Sequence, residues 1–84
     1  MITYKIYPLP GISDKSLTGS FEADDVRTLG DLVNAISDKD GVDFSADVPF
    51  LAVLDGKALD LTENGDRLIE DGSQLLILPT IMGG

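Results

Sequence analysis

The segment TLGDLVNAISDKDG (residues 28–41) decides the fold, because its pattern predicts the one long helix of the chain. Thr28 is a favourable N-cap residue, and Asp31 stands three positions later, where an acidic side chain gives a shortened capping box. Gly41 suits the left-handed conformation that ends many helices. Apolar residues recur at i, i+3, i+4 and i+7 and so share one side of the helix: Leu29, Leu32, Val33 and Ile36. This side must pack against a sheet, because no second helix of comparable length is predicted.

The residues before this helix predict a hairpin. ITYKIY (residues 2–7) alternates and is rich in β-branched and aromatic residues, which is typical of a strand. PLPGISDK (residues 8–15) contains prolines and a glycine that end this strand. SLTGSFEAD (residues 16–24) resumes the alternation, so the two strands are joined by a long loop.

The residues after the helix predict three more strands. FLAVL (residues 50–54) is a nearly continuous apolar run, and the Asp-Gly pair that follows is a strong hairpin-turn signal before KALDL (residues 57–61). A second Asp-Gly turn precedes the last strand, LLILP (residues 75–79). We therefore predict an α+β fold with one main helix packed across a mixed sheet of four to five strands. The order of elements is that of a ubiquitin-like β-grasp domain, which on pattern alone is one candidate among a few. We predict this domain over residues 1–80, with a flexible tail at residues 81–84.

Composition excludes several kinds of chemistry. The chain has no cysteine, which removes disulfides, thiolate catalysis and thiolate metal sites, and no histidine, the usual acid–base group near neutral pH. No metal site is predicted. The neighbouring acids Glu70 and Asp71, and the helix-end acids Asp38 and Asp40, are interpreted as turn and surface residues. Tyr4 and Tyr7 are interpreted as packing or edge residues rather than as reactive phenols.

Charge and hydropathy indicate the kind of partner. Fifteen acidic residues and six basic residues give a net charge of −9. This charge argues against nucleic acid or an anionic membrane as partner. It favours a basic protein surface, but on its own it is equally compatible with a charge that only keeps the protein soluble. The N-terminal residues do not form a signal-peptide pattern, and no apolar stretch approaches the roughly 20 residues of a membrane span. We therefore expect a cytoplasmic protein.

The segment LAVLDGKALDLTENGDRLIEDGSQLLILPTIMGG (residues 51–84) resembles the C-terminal half of the MoaD/ThiS-like sulfur carriers. Asp55 and Gly56 stand where that family has an Asn-Gly turn, LIEDGSQ (residues 68–74) stands where it has L-x-D-G-D-x, and the chain ends in its Gly-Gly pair. Length and the N-terminal strand agree, so the resemblance covers essentially the whole chain. The ending PTIMGG is closest to the P-P-V-x-G-G of the small subunit of molybdopterin synthase, with Thr80 in place of the second proline.

The resemblance implies a carrier without catalytic side chains rather than an enzyme. A ubiquitin-activating-type adenylating enzyme would use ATP to form an acyl-adenylate at the carboxylate of Gly84. A persulfide donor would then supply the sulfur of a thiocarboxylate, which is used by the larger catalytic subunit of molybdopterin synthase for the molybdenum or tungsten cofactor. The chain itself would bind no cofactor. Two related functions stay open: sulfur transfer for thiamin thiazole synthesis, and conjugation to lysine through Gly84. A β-grasp binding module with an inert tail is a third.

The tail is predicted to thread into the active site of the partner. Pro79, Thr80, Ile81, Met82 and Gly83 would lead to the reactive Gly84. Fully extended, residues 80–84 reach about 17 Å at roughly 3.4 Å per residue. Glycine has no Cβ and leaves the reacting carbonyl unhindered.

The partner-docking surface is predicted on the sheet near the tail rather than on the helix. The candidate residues are Phe50, Leu59, Leu75 and Ile77. One side of the last strand must meet the helix, and the pattern alone does not decide which alternate set of residues is exposed.

Overall fold

The computed structural model describes residues 1–9, 14–44, 50–61 and 63–79. Strands β1 (Ile2–Ile6) and β2 (Leu17–Phe21) precede the helix α1 (Leu29–Asp40), and strands β3 (Phe50–Leu54), β4 (Lys57–Leu59) and β5 (Gln74–Pro79) follow it. Within these residues the protein is a small α+β structure with one helix and a five-stranded mixed sheet, as the sequence predicted in outline. None of the helices in the described residues is long and apolar enough to cross a membrane.

Local sequence signals place the helix and the turns. The Thr28 hydroxyl accepts a hydrogen bond from the Asp31 backbone N–H, the Asp31 carboxylate accepts one from Thr28, and the two form a capping box. Gly41 ends the helix with a φ of 69°, in the left-handed region. Asp55 and Gly56 have φ values of 51° and 85°, the pair of positive values required by a two-residue type I′ hairpin.

The strand order is β2-β1-β5-β3-β4, so the last strand of the chain lies in the middle of the sheet. β5 pairs parallel with β1, placing Tyr4 next to Leu75, and antiparallel with β3, placing Leu51 opposite Leu78. β1 also pairs antiparallel with β2, and β3 with β4, which are the two predicted hairpins. The predicted strand KALDL is shorter in the structure, where β4 ends at Leu59.

The core lies between the helix and one face of the sheet. Its fully buried members are Ile2, Ile6, Leu9, Val26, Leu29, Leu32, Ile36, Leu75 and Ile77. Val33, which the pattern placed on the buried stripe, is only partly buried at its margin. Full burial of one such aliphatic side chain stabilises the fold by about 1.5–3 kcal/mol.

The segment between β4 and β5 covers the start of the helix. The backbone N–H groups of Leu29 and Gly30 donate to the carbonyl oxygens of Arg67 and Gly65, each at 2.9 Å. These bonds satisfy N–H groups that a helix N-terminus otherwise leaves without a partner. A Cβ on Gly30 would lie 3.0 Å from the Gly65 carbonyl oxygen, so this close approach favours glycine.

Candidate functional site

The end of β5 is the part of the described structure that leads to the predicted tail. β5 is held on both sides, by β1 and by β3, and its last residue is the exposed Pro79. Pro79 lies opposite Phe50, at the end of the β3–β5 ladder. The predicted threading residues Thr80, Ile81, Met82 and Gly83, and the predicted reactive residue Gly84, lie outside the described residues.

Two of the predicted docking residues are core residues. Leu75 and Ile77 have 0% exposed surface, and the parallel register sets them beside the buried Tyr4 and Ile6. These side chains therefore point toward the helix and cannot contact a partner in this fold. The prediction for Leu75 and Ile77 is wrong, because in β5 these two residues face the helix, whereas docking requires them to face away from it.

The other two predicted docking residues, Phe50 and Leu59, are partly buried on the same helix-facing side. Leu59 lies opposite the buried Ala52. The Phe50 ring packs edge-on against the Phe44 ring, with 6.0 Å between the centroids. Both rings line an open cleft of about 380 Å³ beside the helix. These residues are accessible in part, but they do not form the uncovered face of the sheet.

The uncovered face of the sheet carries a different apolar set. Four residues form what we call the outer apolar patch: Leu51, Val53, Leu76 and Leu78. The antiparallel register sets Val53 opposite Leu76 and Leu51 opposite Leu78, so the four side chains are neighbours. The side chain of Leu51 is 40% exposed, and the other three are partly exposed. The patch reaches the same end of the sheet at which β5 ends at Pro79.

The electrostatics of this face differ from those of the whole chain. Alternation along the strands assigns Thr3, Lys5, Thr18, Ser20, Gln74 and Ala58 to the same face as the patch. Lys5 is the only charged residue among the strand residues of this face that the structure describes. Its ammonium lies 4.7 Å from the centroid of the Tyr7 ring. An acidic protein of net charge −9 thus presents one sheet face without a carboxylate on its strands. Depletion of charge is typical of the centre of a protein interface.

Tyr4 joins the sheet to the end of the helix. Its hydroxyl donates a hydrogen bond of 2.5 Å to the Asp40 carboxylate, and the Lys39 ammonium lies 5.7 Å from the centroid of its ring. Burial, together with this hydrogen bond and the charge of Asp40, raises the pKa of Tyr4 above its ordinary value. The phenol is therefore protonated at neutral pH and has a packing role, as predicted. Asp40, interpreted from sequence as a solvated helix-end residue, is in fact partly buried and bonded to Tyr4.

The sequence contains one signal for the phase of β5. Residues 75–78 are all apolar and give no alternation, but Gln74 begins the strand and is exposed. A polar residue at position 74 assigns positions 76 and 78 to the same, outward face. The polar Ser73 beside it indicates the opposite phase, so the pattern alone does not decide between the two faces. Ser73 is buried in the turn, where its hydroxyl accepts a hydrogen bond from the Glu70 backbone N–H.

Comparison with protein-family models, with curated proteins and with solved structures gave no match.

Proposed function

We propose that this chain is a sulfur carrier of the ubiquitin-like β-grasp type, whose Gly84 carboxylate is adenylated and then converted into a thiocarboxylate for molybdopterin biosynthesis. The observation that carries the proposal is the position of Pro79. A central strand, bonded on both sides, brings this residue to the end of the sheet beside the outer apolar patch. The order of elements and the single helix across a mixed sheet are compatible with the β-grasp.

This geometry suits a carrier whose reactive group is at the end of a tail. The base of the tail is fixed by the β5 ladders, which hold Pro79 in place. Fixing the backbone of one residue in a single conformation, as a narrow partner channel requires, costs on the order of 1–2 kcal/mol. Ile81 and Met82 can offset part of this cost by burying apolar surface in the partner. The domain itself stays outside the partner's active site.

The chemistry requires activation in another protein. A carboxylate is a poor acyl donor, so the adenylating enzyme joins the Gly84 carboxylate to AMP and releases pyrophosphate from ATP. The outer sulfur of a persulfide donor then attacks the acyl-adenylate and releases AMP, and a thiol cleaves the resulting acyl disulfide, which leaves the thiocarboxylate on Gly84 and a disulfide on the donor. The larger catalytic subunit of molybdopterin synthase would receive the sulfur. The absence of cysteine is compatible with a carrier that holds sulfur at its chain end rather than on a side chain.

The outer apolar patch is the surface proposed for docking on these partners. A complementary partner has an apolar centre that covers Leu51 and Leu78 and a basic rim that attracts the acidic chain. The tail would then leave the domain at the edge of the buried contact, where it can enter an adjacent pocket.

Pyrophosphate exchange tests the adenylation step. The adenylating enzyme should exchange labelled pyrophosphate into ATP when this chain is present and should lose that exchange when Gly84 is deleted. Absence of exchange with the full chain, under conditions in which the enzyme activates its own carrier, would reject the proposal.

Copurification then identifies the acceptor. Recovery of the larger molybdopterin synthase subunit supports the proposed pathway, whereas recovery of a thiazole synthase indicates thiamin synthesis. A ladder of larger species that carry this domain, lost when Gly84 is deleted, indicates conjugation to lysine instead.

A further inference from the structure

The two edges of the sheet differ in how well they are protected from pairing. β4 forms one edge with three residues and begins with Lys57, whereas β2 forms the other edge with five residues, Leu17–Phe21, and contains neither a charge nor a proline. Short strands, charged side chains and prolines are the usual means of blocking an edge. Within the described residues, β1 is the only strand that pairs with β2. As far as the described residues extend, the outer edge of β2 is therefore unpaired and can accept another strand.

Hydrogen bonding within the sheet identifies the backbone groups on this edge. The N–H groups of Thr3 and Tyr7 donate toward β5, to the carbonyl oxygens of Ser73 and Ile77. Because backbone groups alternate in direction along a strand, the residues between them in β1, including Tyr4, bond to β2. Tyr4 is paired with Gly19, so the N–H and C=O groups of Thr18 and Ser20 point away from the sheet.

We propose that β2 pairs antiparallel with β2 of a second copy, about a two-fold axis at Gly19. In this register Thr18 lies opposite Ser20 of the second copy. On the other side of the axis, Ser20 lies opposite Thr18 of the second copy. Each pair exchanges two N–H···O bonds, so all four groups that Thr18 and Ser20 present are satisfied. Gly19 meets Gly19 of the second copy in a pair that lacks hydrogen bonds, where backbones approach to about 4.5 Å. Two sheets become one continuous sheet.

The side chains along this edge favour a second copy over an unrelated extended segment. On the helix-facing side, the register sets Leu17 opposite Phe21 of the second copy, and both are only partly buried in one copy. The same strand thus supplies both halves of each complementary contact.

The dimer is compatible with the proposed function but does not depend on it. β1 separates β2 from β5, so Pro79 and the outer apolar patch stay accessible in both copies. Pairing of one short strand buries less surface than the roughly 1,000 Å² that a stable interface exceeds, so we expect a weak dimer.

Sedimentation equilibrium of the full chain at protein concentrations up to about 1 mM, in moderate salt to screen the net charge, tests the proposal. The Ser20→Pro variant lacks the backbone N–H that residue 20 directs away from β1, and it keeps every hydrogen bond between β1 and β2. Ser20→Ala is its matched control. We expect self-association to weaken about tenfold or more in Ser20→Pro, through loss of two of the four bonds, and to change little in Ser20→Ala. Circular dichroism confirms that each variant is folded.

A second pair of variants tests the same edge without proline. Thr18→Asp places a charge on the edge strand, and Thr3→Asp places the same charge on the same sheet face but on an inner strand. Thr18→Asp should dissociate the dimer, whereas in Thr3→Asp most of the protein should remain dimeric. A wild-type chain that stays monomeric throughout, or variants at positions 18 and 20 that associate as tightly as their controls, would overturn the proposal.

Discussion

Leu78 and Leu51 lie directly opposite each other on the face of the sheet that the helix leaves uncovered. The pair belongs to the last positions of the β3–β5 ladder, one residue before Pro79 and Phe50 complete it. Leu51 is 40% exposed in a chain whose core already contains fully buried leucines on the other face. Burial of this pair by a partner would bring that partner to the point where the tail begins.

Charge on the patch should weaken partner binding without unfolding the domain. In Leu51→Asp or Leu78→Asp, a partner that covers the patch must bury an unpaired carboxylate, so we expect affinity for the adenylating enzyme to fall about tenfold or more. Leu68→Asp is the matched control, because Leu68 is 76% exposed and is not in the patch. Titration calorimetry measures the affinities. Equal loss in all three variants, or no loss at Leu51 and Leu78, would reject the patch as the docking surface.

Alanine substitutions test the phase of β5 independently of function. Leu75→Ala should lower the free energy of unfolding by about 2–5 kcal/mol, because it leaves a cavity in the core. Leu76→Ala removes the same group from the partly exposed face and should cost clearly less, on the order of 1 kcal/mol. Denaturant unfolding measures both values. Comparable losses, or a larger loss in Leu76→Ala, would contradict the assignment of faces.

The bond between Tyr4 and Asp40 should make stability depend on alkaline pH. The pKa of the Tyr4 hydroxyl is raised in the folded state, whereas an unfolded tyrosine ionises at about pH 10. The unfolded state therefore loses this proton first, so the contribution of Tyr4 is complete below about pH 10 and decreases as the pH rises above it. Tyr4→Phe should cost about 1–3 kcal/mol at neutral pH and reduce the alkaline loss of stability. The Tyr7→Phe variant serves as control, and an alkaline slope in Tyr4→Phe equal to that of wild type would contradict the prediction.

The parts of the fold fixed by neighbouring residues could be predicted from sequence. Thr28, Asp31 and Gly41 bound the helix through contacts within a turn of chain, and the Asp55–Gly56 turn adopts the conformation its residue types favour. Such signals need no knowledge of tertiary structure.

The parts fixed by distant residues could not be predicted. Residues 75–78 are all apolar, and the polar residues Ser73 and Gln74 before them indicate opposite phases, so the phase of β5 is decided by its pairing with β1 and β3. All four predicted docking residues lie on the helix-facing side of the sheet. Tyr4 and Asp40 are 36 residues apart, and only the packing of the helix on the sheet brings them together. The outer apolar patch also depends on contacts between distant residues, because the β1–β5 and β3–β5 registers decide which side chains form it.

Substitution of Gly84 should affect activation in proportion to the size of the added side chain. A Cβ beside the reacting carbonyl hinders attack and narrows the fit to the adenylating pocket, so Gly84→Ala should lower kcat/KM for pyrophosphate exchange about tenfold or more, and Gly84→Val further. Gly65→Ala is the control, because a Cβ there meets nothing within 4 Å. Exchange that proceeds equally well in the Gly84 variants would separate this residue from the chemistry.

The mass of the intact chain tests the central claim most directly. The protein is incubated with the adenylating enzyme, ATP, a persulfide donor and a thiol reductant, and its intact mass is then measured. A sulfur carrier gains the difference between one sulfur and one oxygen atom, and the gain requires both ATP and the donor and is absent when Gly84 is deleted. A mass that stays unchanged, while the same enzyme and donor modify their own carrier, would contradict the account.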